Sequence, residues 1–344
     1  MARAAFLMDR LMRAVGLHGK AFVPLLSSFA CAVPGIMATR TIENPKDRIA
    51  TIMIAPFMSC SARLPVYTLM IAAFFSGRKV FGVISLGALI ILGMYLLGIT
   101  VAIIVAWILK HTILNAPPPP FVMELPPYRV PEIGNVAHAL LARTTVFLKR
   151  AGTVILAISI LLWALVAFPR AANPPFPMGE GTGARVLSAQ APTLSLPQVE
   201  RATQIQNSFA GRAGRLIEPV IGPLGFDWRI GIGLISSFAA RETIISTLSI
   251  VYNVGESSDN KSSSLVDAMR KAKRADGSPV WTPLVALSLM VFFLLACQCM
   301  STVAIVRRET NSWRWPLFMV GYMLALAYVA SFVTFQGGRL LGFS

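Results

Sequence analysis

Charge is what this sequence has least of. Asp, Glu, Lys and Arg together make up 13% of 344 residues, and only 15 of those side chains are acidic against 31 basic. Soluble domains carry about 25% charged residues, so a solvated enzyme surface is excluded. A hydrophobic content of 55% and a mean hydropathy of +0.67 place the chain among membrane proteins. Histidine is nearly as scarce: His18, His111 and His138 are too dispersed for a catalytic or zinc site, and no H-E-x-x-H occurs. There is no G-x-x-x-x-G-K-[ST] phosphate-binding loop, so this chain does not hydrolyse nucleotide by that device. No nucleophile stands beside a base as an intramembrane hydrolase requires, and the chain reads as a non-enzyme. Four cysteines, two in apolar surroundings and two in "CQC", do not make a secreted disulfide framework. The first twenty residues mix basic residues with Asp9 and hold no continuous apolar core, so no cleavable signal pattern is present.

What is present is apolar length. The segments 80–107, 151–168, 282–306 and 315–336 carry no charged residue, and a helix needs roughly 20 apolar residues to cross the hydrocarbon core. These are four plain spans. The net charge of +16 is scattered through the loops, without the basic stripe and interleaved aromatics of a nucleic-acid binder. Lys and Arg enrichment of cytoplasmic loops explains it, and no nucleic-acid partner is expected.

Three further apolar stretches are broken. Residues 21–39 carry Pro24, Pro34 and Gly35; residues 49–75 carry Pro56 and Pro65; residues 230–252 carry Gly231, Gly233, Arg241 and Glu242. Proline inside a helix deletes one backbone bond and strains another, at about 3 kcal/mol or more, and lipid supplies no substitute partner. Such breaks persist where protein or a water-filled cavity satisfies the freed groups. The expectation is an all-α polytopic membrane protein with about 7–8 membrane segments, several of them broken or re-entrant.

The connections are uneven. "NAPPPPFVMELPPYRVPEIG" (115–134) is a stiff, extended linker leading into an amphipathic interfacial helix over 135–150. Residues 169–204 and 256–279 read as extramembrane loops, the second charged and partly disordered. Lys and Arg counts place 110–150 and 256–279 in the cytoplasm and 169–204 outside. "RRETNSWR" (307–314) then falls outside, against the positive-inside rule.

An internal repeat is visible. "LLSSFA" (25–30) and "LISSFA" (234–239) match at five of six positions with an offset of 209, which also relates Gly16 to Gly225. Each copy is followed by a polar, cysteine-bearing interruption, "MSCSA" around Cys60 and "ACQCMST" around Cys299. Secondary transporters are often built from two such repeats, with substrate bound near the midplane on broken helices. The division expected is a first repeat over 1–110, a linker and interfacial helix over 111–150, and a second repeat over 151–344.

Cys31, Ser59, Cys60, Ser61, Cys297, Cys299 and Glu242 form the polar set at membrane depth. Thiolate, carboxylate, hydroxyl and freed carbonyls suit a borderline divalent metal such as Fe2+, with Zn2+, Co2+ or Mn2+ not separated from it. Each residue has a plainer alternative. Free cysteine usually packs as a small hydrophobe. Cys297 and Cys299 on an intact helix point about 200° apart, and no Pro or Gly marks an unwinding between them. For Glu242 the alternative is simple neutralisation of Arg241. Pro34, Pro56 and Pro65 act by breaking helices, and Arg63 reads as a structural cation bonded to carbonyls freed by the prolines or to Glu242. A place in the gate is its alternative.

"FVPLLSSFACAVPGIMATRTIENPKDRIATIMIAPFMSCSARLPVYTLMIAAFF" (22–75) closely resembles the membrane region of the bacterial ferrous iron transporter B family. "SSFAARETIISTL" (236–248) and "CQCMSTVAIVRRETNSWRWPLFMVGYM" (297–323) are similar to its later membrane segments. The resemblance implies a multi-pass protein of the bacterial inner membrane with two gate-type pseudo-repeats, importing Fe(II) as substrate with no tightly bound cofactor. It also implies that Cys31, Cys60 and Glu242 are candidates for the iron path. Family members usually begin with a cytoplasmic GTP-binding domain, whereas here Met1 stands just upstream of the first gate segment. The expected partners are therefore membrane lipid, a separate GTP-binding protein, small cytoplasmic Feo proteins and further copies of the chain in a homo-oligomer. The alternatives are a non-transporting membrane subunit or remnant that binds a GTPase, and a gate-fold permease for nucleosides or another solute.

Overall fold

The computed structural model describes residues 16–77, 79–80, 84–114, 209–238, 241–252, 261–274 and 277–342, with scattered positions from 8 to 12 and from 132 to 160. The linker at 115–131 and the loop at 169–204 lie outside the described residues, as does most of the 151–168 span. The described positions from 133 to 145 are helical.

The first repeat begins with α1 (Phe22–Ala30) and α2 (Ala32–Ala38), joined through Cys31, whose extended backbone (φ −156°, ψ 135°) turns the chain. The two helices lie against each other so closely that a Cβ on Gly35 would stand 2.0 Å from Ser28 Oγ and 2.8 Å from Pro24 O. They form a re-entrant hairpin with its tip at Cys31. A broken crossing helix follows, α3 (Pro45–Ile54) and α4 (Leu64–Phe74), then the unbroken α5 (Leu86–Thr112).

The second repeat repeats this order. After α6 (Phe209–Ile221) come the hairpin α7 (Trp228–Ser237) and α8 (Thr243–Val251), and the short α9 (Lys261–Lys271). The broken crossing helix α10 (Pro283–Leu295) and α11 (Met300–Thr310) and the unbroken α12 (Arg314–Leu340) complete it. Thr243 Oγ1 donates to Ser236 O (2.8 Å) and Thr247 Oγ1 to Ser236 Oγ (2.9 Å), tying the hairpin arms together. The offset of 209 survives in the backbone: Gly16 (φ 81°) and Gly225 (φ 86°) both take the left-handed turn that a Cβ would oppose. Two residues on, His18 Nδ1 accepts from Lys20 N (3.1 Å) and Asp227 Oδ1 from Ile230 N (3.0 Å). Both crossing helices start alike, on a side-chain cap followed by proline: Asn44 accepts from Lys46 N before Pro45, and Thr282 from Val285 N before Pro283.

The repeats run in opposite directions. At one end of the molecule a buried Lys110–Asp47 ion pair joins the end of α5 to the start of α3. Arg40 (2.6 Å) and Arg48 (2.5 Å) clamp Glu309 at the end of α11 there. At the other end Trp281 donates to Tyr252 OH (2.7 Å) and stacks near Phe74, while Arg274 Nη2 donates to Gly225 O (2.7 Å). The first hairpin therefore enters from the Glu309 end and the second from the Trp281 end, an inverted repeat.

Segments Pro45–Phe74, Leu86–Thr112, Pro283–Thr310 and Arg314–Leu340, of 30, 27, 28 and 27 residues, are long and apolar enough to cross a membrane. Of the most apolar window of Pro283–Thr310, 78% is buried in protein, against 22% for α5 and for α12. The α10–α11 segment is thus the central element, and α5 and α12 turn apolar faces outward. Ser288 and Ser331, both fully buried, share a 2.6 Å hydrogen bond between α10 and α12, the polar glue expected where lipid supplies no hydrophobic drive. Outside the helices, the described residues hold only a short antiparallel ladder (Lys79–Val80 with Ile84–Ser85) and an isolated bridge between Lys273 and Pro279.

Three sequence expectations are corrected. The 282–306 span is not plain: it unwinds at 296–299, because tertiary partners take up the helix bonds it gives up there. The 256–279 stretch is not simply a loop. It contains α9, whose Leu265 and Met269 are buried and whose Arg270 Nε donates to Ala73 O at the end of α4 (2.6 Å). That contact also puts 261–274 at the opposite end of the crossing helices from residue 110, so 110–114 and 261–274 do not share a side.

Candidate functional site

Four interruptions meet in the middle: the hairpin tips at Cys31 and at Phe238, Arg241 and Glu242, and the crossing-helix breaks at 55–63 and 296–299. Pro56 and Pro65 bracket the first crossing break. Ala55–Phe57 and Ser61–Arg63 are single tight turns, and Met58 (φ −60°, ψ 127°) and Cys60 (φ −72°, ψ 157°) between them are extended. Ser61 Oγ donates to Ala30 O (3.1 Å) and so anchors this break to the first hairpin tip. Met300 N donates to Phe238 O (3.1 Å), which anchors the second break to the second tip.

The two arginines hold the unwound backbone. Arg63, fully buried, donates to the carbonyls of Pro56 (2.8 Å), Phe57 (3.3 Å) and Met58 (3.1 Å). Arg241, 6% exposed, donates through Nη2 to Ala296 O (3.2 Å). Of the readings of Arg63, the carbonyl-bonded one describes the geometry: the guanidinium does not reach Glu242, which is exposed. Arg241 is directed to a carbonyl rather than to its neighbour Glu242, and no ion pair joins the two among the described residues. Pro34 sits in the short second arm of the first hairpin.

Cys60, Cys299 and Arg241 are near enough to Cys31 to act on it electrostatically, so cysteines from three interruptions are neighbours. Cys31, Cys60 and Cys299 are half-buried, and Cys297 is buried near Arg63 and Arg241; all four are free thiols. Among the described residues no three His, Cys, Asp or Glu side chains close into a metal-holding group. The thiols share a region without forming a finished coordination shell.

Sequence reasoning missed Gln298. It lies in the unwound segment between two cysteines, fully buried, with neither Oε1 nor Nε2 partnered. Ser59 Oγ, Ser301 Oγ, Tyr67 OH and Arg241 Nη1 are likewise buried and unpartnered. Leaving one buried polar group unpaired costs about 1–3 kcal/mol, so this concentration marks a place built for something polar. Gly98 was missed as well: a Cβ there would stand 3.2 Å from Phe57 O and from Leu294 Cδ1, and 3.5 Å from Ser59 Oγ. Its missing side chain lets α5 close over the break. The signal for Gln298 was available as an amide in an otherwise apolar run; nothing in the local sequence singled out Gly98.

Inverted repeats with interrupted segments facing one another, on helices long and apolar enough to cross a membrane, define a polytopic helical membrane protein. Residues 1–74 and 148–313 match the family model described as "Nucleoside recognition" (Gate), and residues 91–143 match "Ferrous iron transport protein B C terminus". The chain belongs to the ferrous iron transport protein B family and corresponds to the membrane part of its members. It is 46% identical over 342 residues to the Fe(2+) transporter FeoB of Leptospira interrogans, covering 99% of this chain and 46% of that protein. Over 348 residues it is 38% identical to the Fe(2+) transport protein A/Fe(2+) transporter FeoB fusion protein of Porphyromonas gingivalis, covering 99% and 40%. With the Fe(2+) transporter FeoB of Staphylococcus aureus it shares 37% identity over 342 residues, covering 99% and 44%. The chain thus spans about half the length of the curated relatives it matches. No solved structure matches it.

Proposed function

We propose that this chain is the permease part of a ferrous iron transporter of the bacterial inner membrane and that it is not itself an enzyme. The observation that carries this reading is that Cys31, Cys60 and Cys299, from three separate interruptions, are free thiols with Cys60 and Cys299 both among the electrostatic neighbours of Cys31. Fe2+ arriving without its water shell takes thiolate from these cysteines and neutral oxygen from Ser59, Gln298 and Ser301, a mixed set that suits a borderline metal. Ser61 holds the Cys60 segment to the hairpin tip, and Cys297 and Glu242 lie at the edges of the region. The relatives' names as Fe(2+) transporters support the substrate. The Porphyromonas fusion supports a protein of the Fe(2+) transport protein A kind as partner; a separate GTP-binding protein is the further partner in this reading.

Metal-free proteoliposomes holding the purified chain, with and without a cognate GTPase, test this by 55Fe2+ uptake. Uptake above empty vesicles is expected, and Cys60→Ala is expected to abolish it; uptake unchanged in that variant removes Cys60 from the path. A second reading, a permease for nucleosides, draws on the description of the Gate model and on the unpartnered Gln298 amide. Competition by uridine in the same assay, with uptake of labelled uridine, decides for it; neither effect is expected.

A further inference from the structure

The motif "RRETNSWR" found no place in the transport reading, and its geometry separates its charges. Glu309, the one acid in it, has a side chain only 2% exposed and is taken by Arg40 and Arg48. Arg307, Arg308 and Arg314 are exposed on the other side, and no acidic partner meets them among the described residues. Between α11 and α12, Asn311 takes the left-handed turn (φ 48°, ψ 27°) and opens a cavity of about 410 Å3 lined by Ala304, Arg307, Arg308, Asn311, Ser312 and Trp313. The Arg307 guanidinium lies 4.2 Å from the centre of the Trp313 ring, which restrains it in place. Trp313, in the lining, is the N-cap of the 27-residue α12, whose N-terminal dipole favours an anion.

We propose that this cavity is a phosphate site, filled by the headgroup of an anionic phospholipid. Its position selects the source: it caps the turn between two segments long enough to cross the membrane, Pro283–Thr310 and Arg314–Leu340, and so lies at headgroup level. Trp313, 52% exposed, is a side chain that favours that interface. Guanidinium groups bind phosphate oxygens through paired donors, and two of them with a hydroxyl and an amide make a cradle of headgroup size. The lipid would brace the turn carrying Glu309, and with it the clamp that joins the two repeats at this end.

The test uses the full chain in nanodiscs of phosphatidylcholine containing a variable fraction of phosphatidylglycerol. Native mass spectrometry counts retained phosphatidylglycerol, and quenching by brominated phosphatidylglycerol or phosphatidylcholine reads Trp313, its emission isolated by difference from Trp313→Phe. Preferential retention and quenching by phosphatidylglycerol are expected. Arg307→Gln/Arg308→Gln should weaken that preference by about tenfold or more, while Arg307→Lys/Arg308→Lys keeps part of it. Equal quenching by the two lipids in the unmodified chain, or a preference retained in the Gln variant, overturns the proposal. Millimolar inorganic phosphate shifting Trp313 emission in detergent without lipid would make a soluble anion the ligand and overturn the lipid assignment. Arg307 and Arg308 are exposed, whereas the Glu309 side chain is only 2% exposed, and a single cooperative unfolding transition in detergent confirms that the variants are folded.

Discussion

Arg241 Nη2 donates to the carbonyl of Ala296 at 3.2 Å, so the tip of one hairpin holds a gap in a crossing helix that has no proline or glycine to open it. The neighbouring bond from Met300 N to Phe238 O does the same for an amide. A helix break costs its backbone bonds, and here a second element of the same repeat replaces them. Removing that element should therefore let the helix close. Arg241→Met is expected to restore helical bonding across 296–299 and to withdraw Gln298 from the crossing. Slower amide hydrogen exchange over 296–300 with loss of Fe2+ uptake would show it; exchange unchanged from the parent would place the cause of the break elsewhere.

Arg63 stabilises three carbonyls at once, and each one left unpaired costs about 1–3 kcal/mol. Arg63→Ala should lower the stability of the detergent-solubilised protein by several kcal/mol, read from its thermal unfolding midpoint. Arg63→Lys should recover only part, since a single ammonium cannot span the three acceptors as the planar fork does. An Arg63→Gln protein that folds and transports faster would return the charge to the gate.

Gln298→Met keeps the bulk of the side chain and removes both unpartnered polar ends. If the amide serves only packing, the protein should be more stable and transport unchanged. With the amide on the ion path, stability rises or holds while Fe2+ uptake falls by about tenfold, the equivalent of one lost interaction near 1.4 kcal/mol. Uptake and unfolding measured on the same preparation separate the two.

Gly35 and Gly93 offer a matched pair. Gly35→Ala places a methyl 2.0 Å from Ser28 Oγ and 2.8 Å from a backbone oxygen, whereas Gly93 has nothing within 4 Å of its missing Cβ. The first substitution should splay the hairpin and abolish uptake; the second should be neutral or slightly stabilising, as alanine generally is in a helix. Equal behaviour of the two would mean that the hairpin does not need its tight contact.

Cysteines introduced on a background without native ones should report the inverted arrangement. Thr112→Cys and Ser278→Cys are expected to react with an impermeant maleimide from opposite faces of oriented membranes, because Lys110 pairs with Asp47 while α9 caps the far end of α4. Labelling of both from one face would refute the topology.

The sequence by itself determined the class of protein, the broken helices at Pro56 and Pro65, the repeat with its offset of 209, and the thiols worth suspecting. Those properties are local: apolar length, a missing amide, a recurring string. Tertiary structure decided what depends on partners distant in the chain. It unwound 296–299 through Phe238 and Arg241, ordered α9 against α4, and turned Glu242 to the exterior while Gln298 was enclosed. Loop charge counting put residues 110 and 270 on one side, because counting carries no information about which helix ends meet. The Lys110–Asp47 pair and the Arg270–Ala73 bond carry that information, and they put the two residues at opposite ends.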